Sequence, residues 1–196
     1  MKILVACERS GRVRDAFIRG GHEAVSCDLL PSLMPGPHIQ GDVRPLLCQP
    51  WDMVIAFPPC TYLCHSGYHY TQSQPGRYER TLEAAAFFRD CLAANAPRVA
   101  VENPTMAKEA RRLAGAGDPS FAVQLYQFGA SYSKRTCFWA KGLPPLLPTQ
   151  IGANGRDDSY QVWTLKLPPP LRAMVRGFTY PGLAEAIAQQ WGSLEV

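Results

Sequence analysis

Short, wholly apolar runs alternate with stretches of helical period along this chain, and the alternation predicts its elements. Ile3 to Ala6 carries no polar residue, as expected of a strand buried on both faces. A turn follows at Cys7-Glu8-Arg9-Ser10-Gly11. From Val13 to Arg19 the apolar positions Val13, Ala16 and Phe17 share one helical face, and Gly20-Gly21 stops the helix. Glu23 to Cys27 reads as a second strand ending at Asp28, which completes a βαβ unit. After the passage from Pro31 to Pro37, a short third segment ends at Gly41-Asp42-Val43. Trp51 to Phe57 is the next strand, and the polar, aromatic stretch from Thr61 to Tyr78 is a loop. Glu79 to Asn95 is helical through Leu82, Ala85, Ala86, Phe88 and Leu92. Val99 to Val101 is a buried strand, and Thr105 to Leu113 a helix. Phe121 to Tyr126 and Thr136 to Trp139 predict two strands paired across Phe128 to Arg135, and Leu183 to Trp191 a closing amphipathic helix. Strands alternating with helices imply an α/β fold with a mainly parallel, doubly wound sheet.

Composition narrows the picture without changing it. The 196 residues fit one domain, 1–196, with a substantial core. An apolar fraction of 46% excludes a disordered chain. Charged residues are 18% and the formal net charge is +4, which permits phosphate contact without demanding a nucleic-acid partner. No apolar run is long enough to span a membrane. Cys7-Glu8-Arg9 breaks the first apolar run too early for a signal segment, so that run is a buried strand. Seven cysteines, an odd number set mostly inside apolar runs, suit reduced thiols in a cytoplasmic protein. Many of the 18 prolines lie between elements, and the segment 142–171 is expected to be Pro-rich loop. Nothing in the pattern specifies an oligomeric state.

The chemistry gathers at strand ends. Phe57-Pro58-Pro59-Cys60 closes one strand with a thiol on a stiff turn. That places Cys60 at the carboxyl edge of the sheet, where ligands bind in open α/β folds. Glu102-Asn103-Pro104 closes another strand, and a buried acid there is a candidate for a shifted pKa. A thiol and a carboxyl at adjacent strand ends can address one small substrate. A thiolate at Cys60 needs positive neighbours, for which His65, Lys134 and Arg135 are candidates. The first turn, Cys7 to Gly11, suits a nucleotide-like cofactor but lacks GxGxxG, so it is a poor phosphate cradle. Asp28 stands where an acid grips ribose hydroxyls, and Asp42 where one meets an adenine amino group. Cys60, Cys64, His65 and His69 lie too close in sequence for a tetrahedral zinc site, so no metal is expected.

These motifs, in this order, resemble those of the cytosine C5-methyltransferases, and more closely their short phage-type relatives. Cys7-Glu8-Arg9-Ser10-Gly11 is similar to the family's first cofactor motif, Cys27-Asp28 to the acidic second and Gly41-Asp42-Val43 to the third. Phe57-Pro58-Pro59-Cys60 resembles the Pro-Cys nucleophile motif, and Ser66-Gly67 the small residues beyond it. Glu102-Asn103-Pro104 resembles Glu-Asn-Val, and Phe128-Gly129 through Ser133-Lys134-Arg135 the Gln-x-Arg-x-Arg segment. The resemblance implies a Rossmann-like methyltransferase fold with S-adenosylmethionine as cofactor, held by Cys7, Glu8, Ser10, Gly11, Asp28, Asp42 and Pro58. It implies Cys60, Glu102 and Arg135 as catalytic residues, with Pro59, Asn103 and Lys134 at the substrate.

The chain also departs from the family pattern. The second arginine of Gln-x-Arg-x-Arg falls at Cys137 and the glutamine at Ser133, and Tyr180-Pro181-Gly182-Leu183 stands in place of the closing Gly-Asn-x-Val segment. The segment 142–171 is far short of a target-recognition lobe. Three functions follow as alternatives. One is methylation of cytosine in DNA, with Tyr62, Tyr68, Tyr70 and Tyr78 stacking on bases and Arg77 and Arg80 meeting phosphates. Another is the same reaction on a free pyrimidine nucleotide, which needs no duplex-reading lobe. The third is a silent binding protein, against which the pairing of Cys60 with Glu102 weighs.

Overall fold

Strands form where the apolar runs placed them, with one more over His38–Gln40 that no apolar run marks, and one sheet gathers them all. The computed structural model describes residues 1–152, 154, 157 and 159–194. The first half builds β1 (Lys2–Ala6), α1 (Arg12–Arg19), β2 (Glu23–Asp28), β3 (His38–Gln40), α2 (Arg44–Leu47), β4 (Met53–Ala56), α3 (His65–Tyr68) and α4 (Arg77–Leu92). The second half adds β5 (Arg98–Asn103), α5 (Lys108–Ala114), β6 (Phe121–Gln124), β7 (Arg135–Lys141), α6 (Ser159–Leu165), α7 (Pro169–Gly177) and α8 (Pro181–Gly192). The strand order is β3-β2-β1-β4-β5-β7-β6 in a seven-stranded sheet. β1 to β5 are parallel, and β7 is antiparallel to both β5 and β6. This is the Rossmann-like, doubly wound, mainly parallel α/β sheet expected from the sequence.

The two faces of the sheet carry separate cores. Leu4, Ala6, Val54, Ala56, Val99 and Val101 point to the side covered by α2, α4 and α5, where Leu46, Phe88, Cys91 and Ala110 meet them. Ile3, Val5, Met53, Ile55 and Ala100 point to the other side, against Val13 and Phe17 of α1 and Leu183, Ile187 and Trp191 of α8. Residues alternate between faces because strand side chains have period two. Trp191 is fully buried against Phe138 and Phe121, and burying a ring of that size contributes about 3 kcal/mol.

Two topological facts position the site. Pairing continues past the strand ends: the Phe57 amide donates to the Ala6 carbonyl (2.9 Å) and the Glu8 amide to the Cys27 carbonyl (3.1 Å). The turns carrying Glu8 and Cys60 are therefore anchored to the sheet rather than hung from it. The reversal of β7 does the rest. Its register sets Glu102 opposite Phe138 and Asn103 opposite Cys137, so its first residues reach the carboxyl edge of β5.

A buried cation sets the loop between β2 and β3. Arg14 is fully buried in α1. Its guanidinium donates to Ser26 Oγ (3.2 Å), Ser32 Oγ (3.2 Å), the Met34 carbonyl (3.3 Å) and the Pro35 carbonyl (3.0 Å), and pairs with Asp15 (2.7 Å). Gly36 has φ +143 and leaves room for that guanidinium: a Cβ there would lie 2.8 Å from Arg14 Cζ. The passage from Pro31 to Pro37 is thus a fixed loop.

The segment 142–171 departs from expectation. It contains α6 and the start of α7, two helices packed on each other. The run Pro168-Pro169-Pro170 reads as loop in sequence, yet prolines sit without penalty in a helix's first turn, where the amides have no intrahelical acceptor.

Candidate functional site

A cavity of about 620 Å³ opens at the carboxyl edge of the sheet, between the β1–α1 turn, Asp28 and α7. Cys7, Glu8, Ser10 and Asp28 line it from below, with Phe57 and Pro59; Leu171, Met174, Phe178 and Thr179 close it from above. Arg12 ties the roof to the floor, donating to the Thr179 carbonyl (2.7 Å) with its guanidinium over the Phe178 ring (5.3 Å). A second cavity of about 390 Å³ shares Cys7, Asp28 and Pro59 with the first and continues to Gly41, Asp42 and Phe87. The two form one groove along the strand ends.

Glu8 is the most informative side chain in that groove. It is buried, and its Oε1 accepts from the Ser10 hydroxyl and from the Arg12 amide (3.0 Å). Its Oε2 is buried without a hydrogen-bond partner. Burial pushes the carboxyl above its ordinary value, and the bonds from Ser10 and Arg12 pull it back. Such an orphaned acceptor in a cavity wall fits a cationic donor from a ligand. Asp28 lies midway along the groove, Oδ1 accepting from the Leu30 amide (2.9 Å). Asp42 lines the second cavity with both oxygens engaged by Arg44, through its amide (3.0 Å) and guanidinium (3.2 Å). Arg44 lies over the Phe87 ring (4.6 Å) and also lines this cavity, so that end of the groove presents a ring and a guanidinium beside an acid. This donor set fits an adenosyl amino acid: an acid for the ammonium, an acid for the ribose, a ring and an acid for the purine.

Cys60 and Glu102 lie at the ends of adjacent parallel strands, with Ala56 registered on Val101. Neighbouring Cys64 and burial push the Cys60 thiol up, and Glu102 is close enough for its carboxylate to raise it further. Burial lifts Glu102 to about 6, with Lys134 opposing. Lys134 acts on Cys60 in the same sense, favouring the thiolate. Its ammonium also donates to the Arg176 carbonyl at the end of α7 (3.0 Å). Thiol, carboxyl and ammonium thus share one locality beside the groove, to which Pro59 connects them.

Other residues expected at the site take different places. Arg135 is exposed at the start of β7, opposite Gln124, and the cation acting on both Cys60 and Glu102 is its neighbour Lys134. Asn103 is fully buried and faces away from Glu102, with neither side-chain amide atom hydrogen-bonded. Pro58 is buried, and Pro59 rather than Pro58 lines both cavities. Gly11 opens α1 in the left-handed conformation (φ +76) behind the cavity wall. Arg77 is tied inward, donating to the Gly67 carbonyl (2.9 Å) and lying over Tyr62 (4.9 Å) and Tyr70 (5.6 Å), while Arg80 donates to the Tyr62 hydroxyl (3.2 Å). The expected loop from Thr61 to Tyr78 is therefore folded on itself, α3 included.

Sequence reasoning missed Phe87, Arg44 and the roof residues Met174, Phe178 and Thr179. Phe87 follows the helical face of α4 and reads as core. The roof follows a proline run that hides its helix. Among the described residues no cluster of three or more His, Cys, Asp or Glu is placed to hold a metal ion, and no helix is long and apolar enough to cross a membrane. All seven cysteines are thiols.

No family model and no curated protein matches the chain. Among solved structures it is similar to a candidate DNA modification methyltransferase encoded within an E. coli prophage. The identity is 17% and the TM-score 0.48, over 86% of this chain and 56% of that one. The chain spans little more than half the length of that protein.

Proposed function

We propose that the protein transfers a methyl group from S-adenosylmethionine to C5 of a cytosine in DNA, through a bond between Cys60 Sγ and ring carbon C6. The observation that carries this reading is the convergence of a thiol, a desolvated carboxyl and one ammonium at adjacent strand ends, beside a groove lined by three acids. When bound, the cofactor supplies an electrophilic methyl group. Glu8 holds its ammonium, Asp28 its ribose, and Asp42 with Phe87 its purine.

Cytosine C5 is a poor nucleophile, and covalent addition remedies that. Cys60 Sγ adds to C6, and the C5=C6 electron pair moves into the ring. Glu102, poised near 6, keeps a share of its carboxyl protonated at neutral pH and donates to N3 as charge develops there. Lys134 steadies the thiolate before attack. After methyl transfer the C5 proton departs to a base, the C5=C6 bond re-forms, and Cys60 leaves as thiolate. A cytosine within a duplex has to be extruded to reach Cys60.

A second reading, the same reaction on a free pyrimidine nucleotide, is favoured by one observation: α6 and the start of α7 are the only helices in 142–171 among the described residues. One assay separates the two. Methyl transfer from labelled cofactor is measured on duplex DNA, single strands, dCMP and dCTP, with Cys60→Ser as control. Transfer to DNA that Cys60→Ser abolishes supports the first reading. Transfer to nucleotides alone replaces it with the second. Cofactor binding with no transfer to any pyrimidine defeats both.

A further inference from the structure

Arg9 is the one cation among the described residues that line the cavity of about 620 Å³, whose acids are Glu8 and Asp28. It is partly buried, and its Nε is fully buried without a hydrogen-bond partner. Its backbone is fixed, the carbonyl accepting from the Leu33 amide (2.8 Å). Among the described residues its side chain makes no ion pair. The other arginines around the groove are engaged: Arg12 with the Thr179 carbonyl (2.7 Å), Arg14 with Asp15 (2.7 Å) and Arg44 with Asp42 (3.2 Å).

Strand residues alternate between faces, yet Cys7, Glu8, Arg9 and Ser10 line this one cavity in succession. Cys7 makes the turn that allows it. Its φ is 57, and among the described residues it is the one non-glycine residue in the left-handed region, a conformation that persists where the surroundings impose it. Glu8 and Arg9 thus bring opposite charges to one cavity without neutralising each other. No ion pair joins them, and Glu8 Oε1 is held instead by the Ser10 hydroxyl and the Arg12 amide. The buried Glu8 Oε2 and the buried Arg9 Nε are both left without a partner.

Resting on the reading of this cavity as the cofactor site, we infer that Arg9 binds the carboxylate of the ligand's amino-acid end while Glu8 takes its ammonium, so that the site selects an adenosyl α-amino acid over the corresponding amine. Two unneutralised charges on neighbouring residues suit a ligand that carries both signs on one carbon. A guanidinium presents N–H donors in a planar fork that matches a carboxylate. The apolar roof of Leu171, Met174 and Phe178 excludes water and strengthens both contacts. A phosphate fits less well, because it brings no positive charge to offset Glu8 and Asp28 in the same wall.

The test is titration calorimetry with S-adenosylmethionine and with its decarboxylated analogue, on the wild type, Arg9→Met and Arg9→Gln. The analogue keeps the sulfonium, ribose, purine and ammonium and lacks the carboxylate. The wild type should bind the intact cofactor about tenfold or more tightly than the analogue. Both variants should lose that preference, weakening the intact cofactor about tenfold and leaving the analogue within about twofold. Retained binding of the analogue shows that the variant's cavity is folded. Equal affinities in the wild type overturn the assignment whether or not the variants fold, and so does a preference that survives Arg9→Met. A surviving preference joined to weaker binding of duplex DNA gives Arg9 to a nucleic-acid phosphate instead. A wild type that binds neither adenosyl compound defeats the cofactor reading itself, a result distinct from the loss of Arg9 alone.

Discussion

Glu102 carries a cost that its proposed role explains. A carboxyl lifted by burial to about 6 binds its proton more tightly in the folded protein than in the unfolded chain, where it ionises near its ordinary 4.5. The stability this adds is fully present below 4.5, fades as pH rises through 6, and is absent above it. Glu102→Gln removes the penalty of burying the charge. At pH 8 the variant is expected to unfold at higher denaturant, by at most about 2 kcal/mol, and the gain should vanish below pH 4.5. Methyl transfer should be lost throughout. Urea unfolding at several pH values, alongside the transfer assay, checks both. At Cys60 the expectation is different: Cys60→Ser should abolish transfer but leave cofactor affinity within about twofold, because the residues proposed to hold the cofactor, Glu8, Asp28 and Phe87, lie elsewhere in the groove. Titration calorimetry reads that affinity. Both key residues were visible in the sequence because each closes an apolar strand. Lys134 and Arg135 were visible as a pair, but sequence could not decide which faces the site; that depends on where β7 begins.

Among the elements, the turns and short helices do the positioning. Gly67 packs against the Thr61 carbonyl so closely that a Cβ there would overlap it, and it lies beside Cys64 Sγ. Gly67→Ala should push the Cys60–Cys64 turn off the sheet edge and lower transfer by about tenfold, with cofactor binding retained. Arg14 tests the opposite end of the groove. Arg14→Met strands the acceptors Ser26, Ser32, Met34 and Pro35 and should cost about 3 kcal/mol. It should also weaken cofactor binding, since the loop it fixes carries Leu30 into the cavity wall. Thermal unfolding and calorimetry measure the two effects. β1, β2, β4, β5, α1, α4 and α8 were legible because each has a strong period or a mostly apolar run, whereas β3, the three residues His38–Gln40, offers neither. α2 and α3 span four residues each, too short for a period to register. α7 was hidden by its prolines, and with it the roof of the cavity. Arg14 reads in sequence as an ordinary helix-surface cation; its burial follows from the return of the β2–β3 loop over α1, which no local pattern encodes.

At the scale of the whole molecule, the two-sided core leaves one edge of the sheet for chemistry, and every proposed functional residue lies on or near it. The reversed β7 brings Lys134 to the end of β5, and α7 closes the groove from above while accepting the Lys134 bond. Cofactor binding should therefore stabilise the entire fold, by about 2.7 kcal/mol at a hundredfold excess over its dissociation constant, seen as a rise in unfolding temperature. Glu8→Gln should reduce that rise, since the orphaned oxygen no longer meets the ammonium with a charge. The central claim is a covalent bond between one sulfur and a pyrimidine ring. Its most direct test is incubation with S-adenosylmethionine and a 5-fluorocytosine substrate, as duplex, single strand or nucleotide, followed by peptide mapping. Fluorine at C5 blocks the final elimination, so the peptide containing Cys60 should retain a methylated fluoropyrimidine with at least one of the three substrates. No adduct with any of them, or an adduct on another cysteine, would contradict the account.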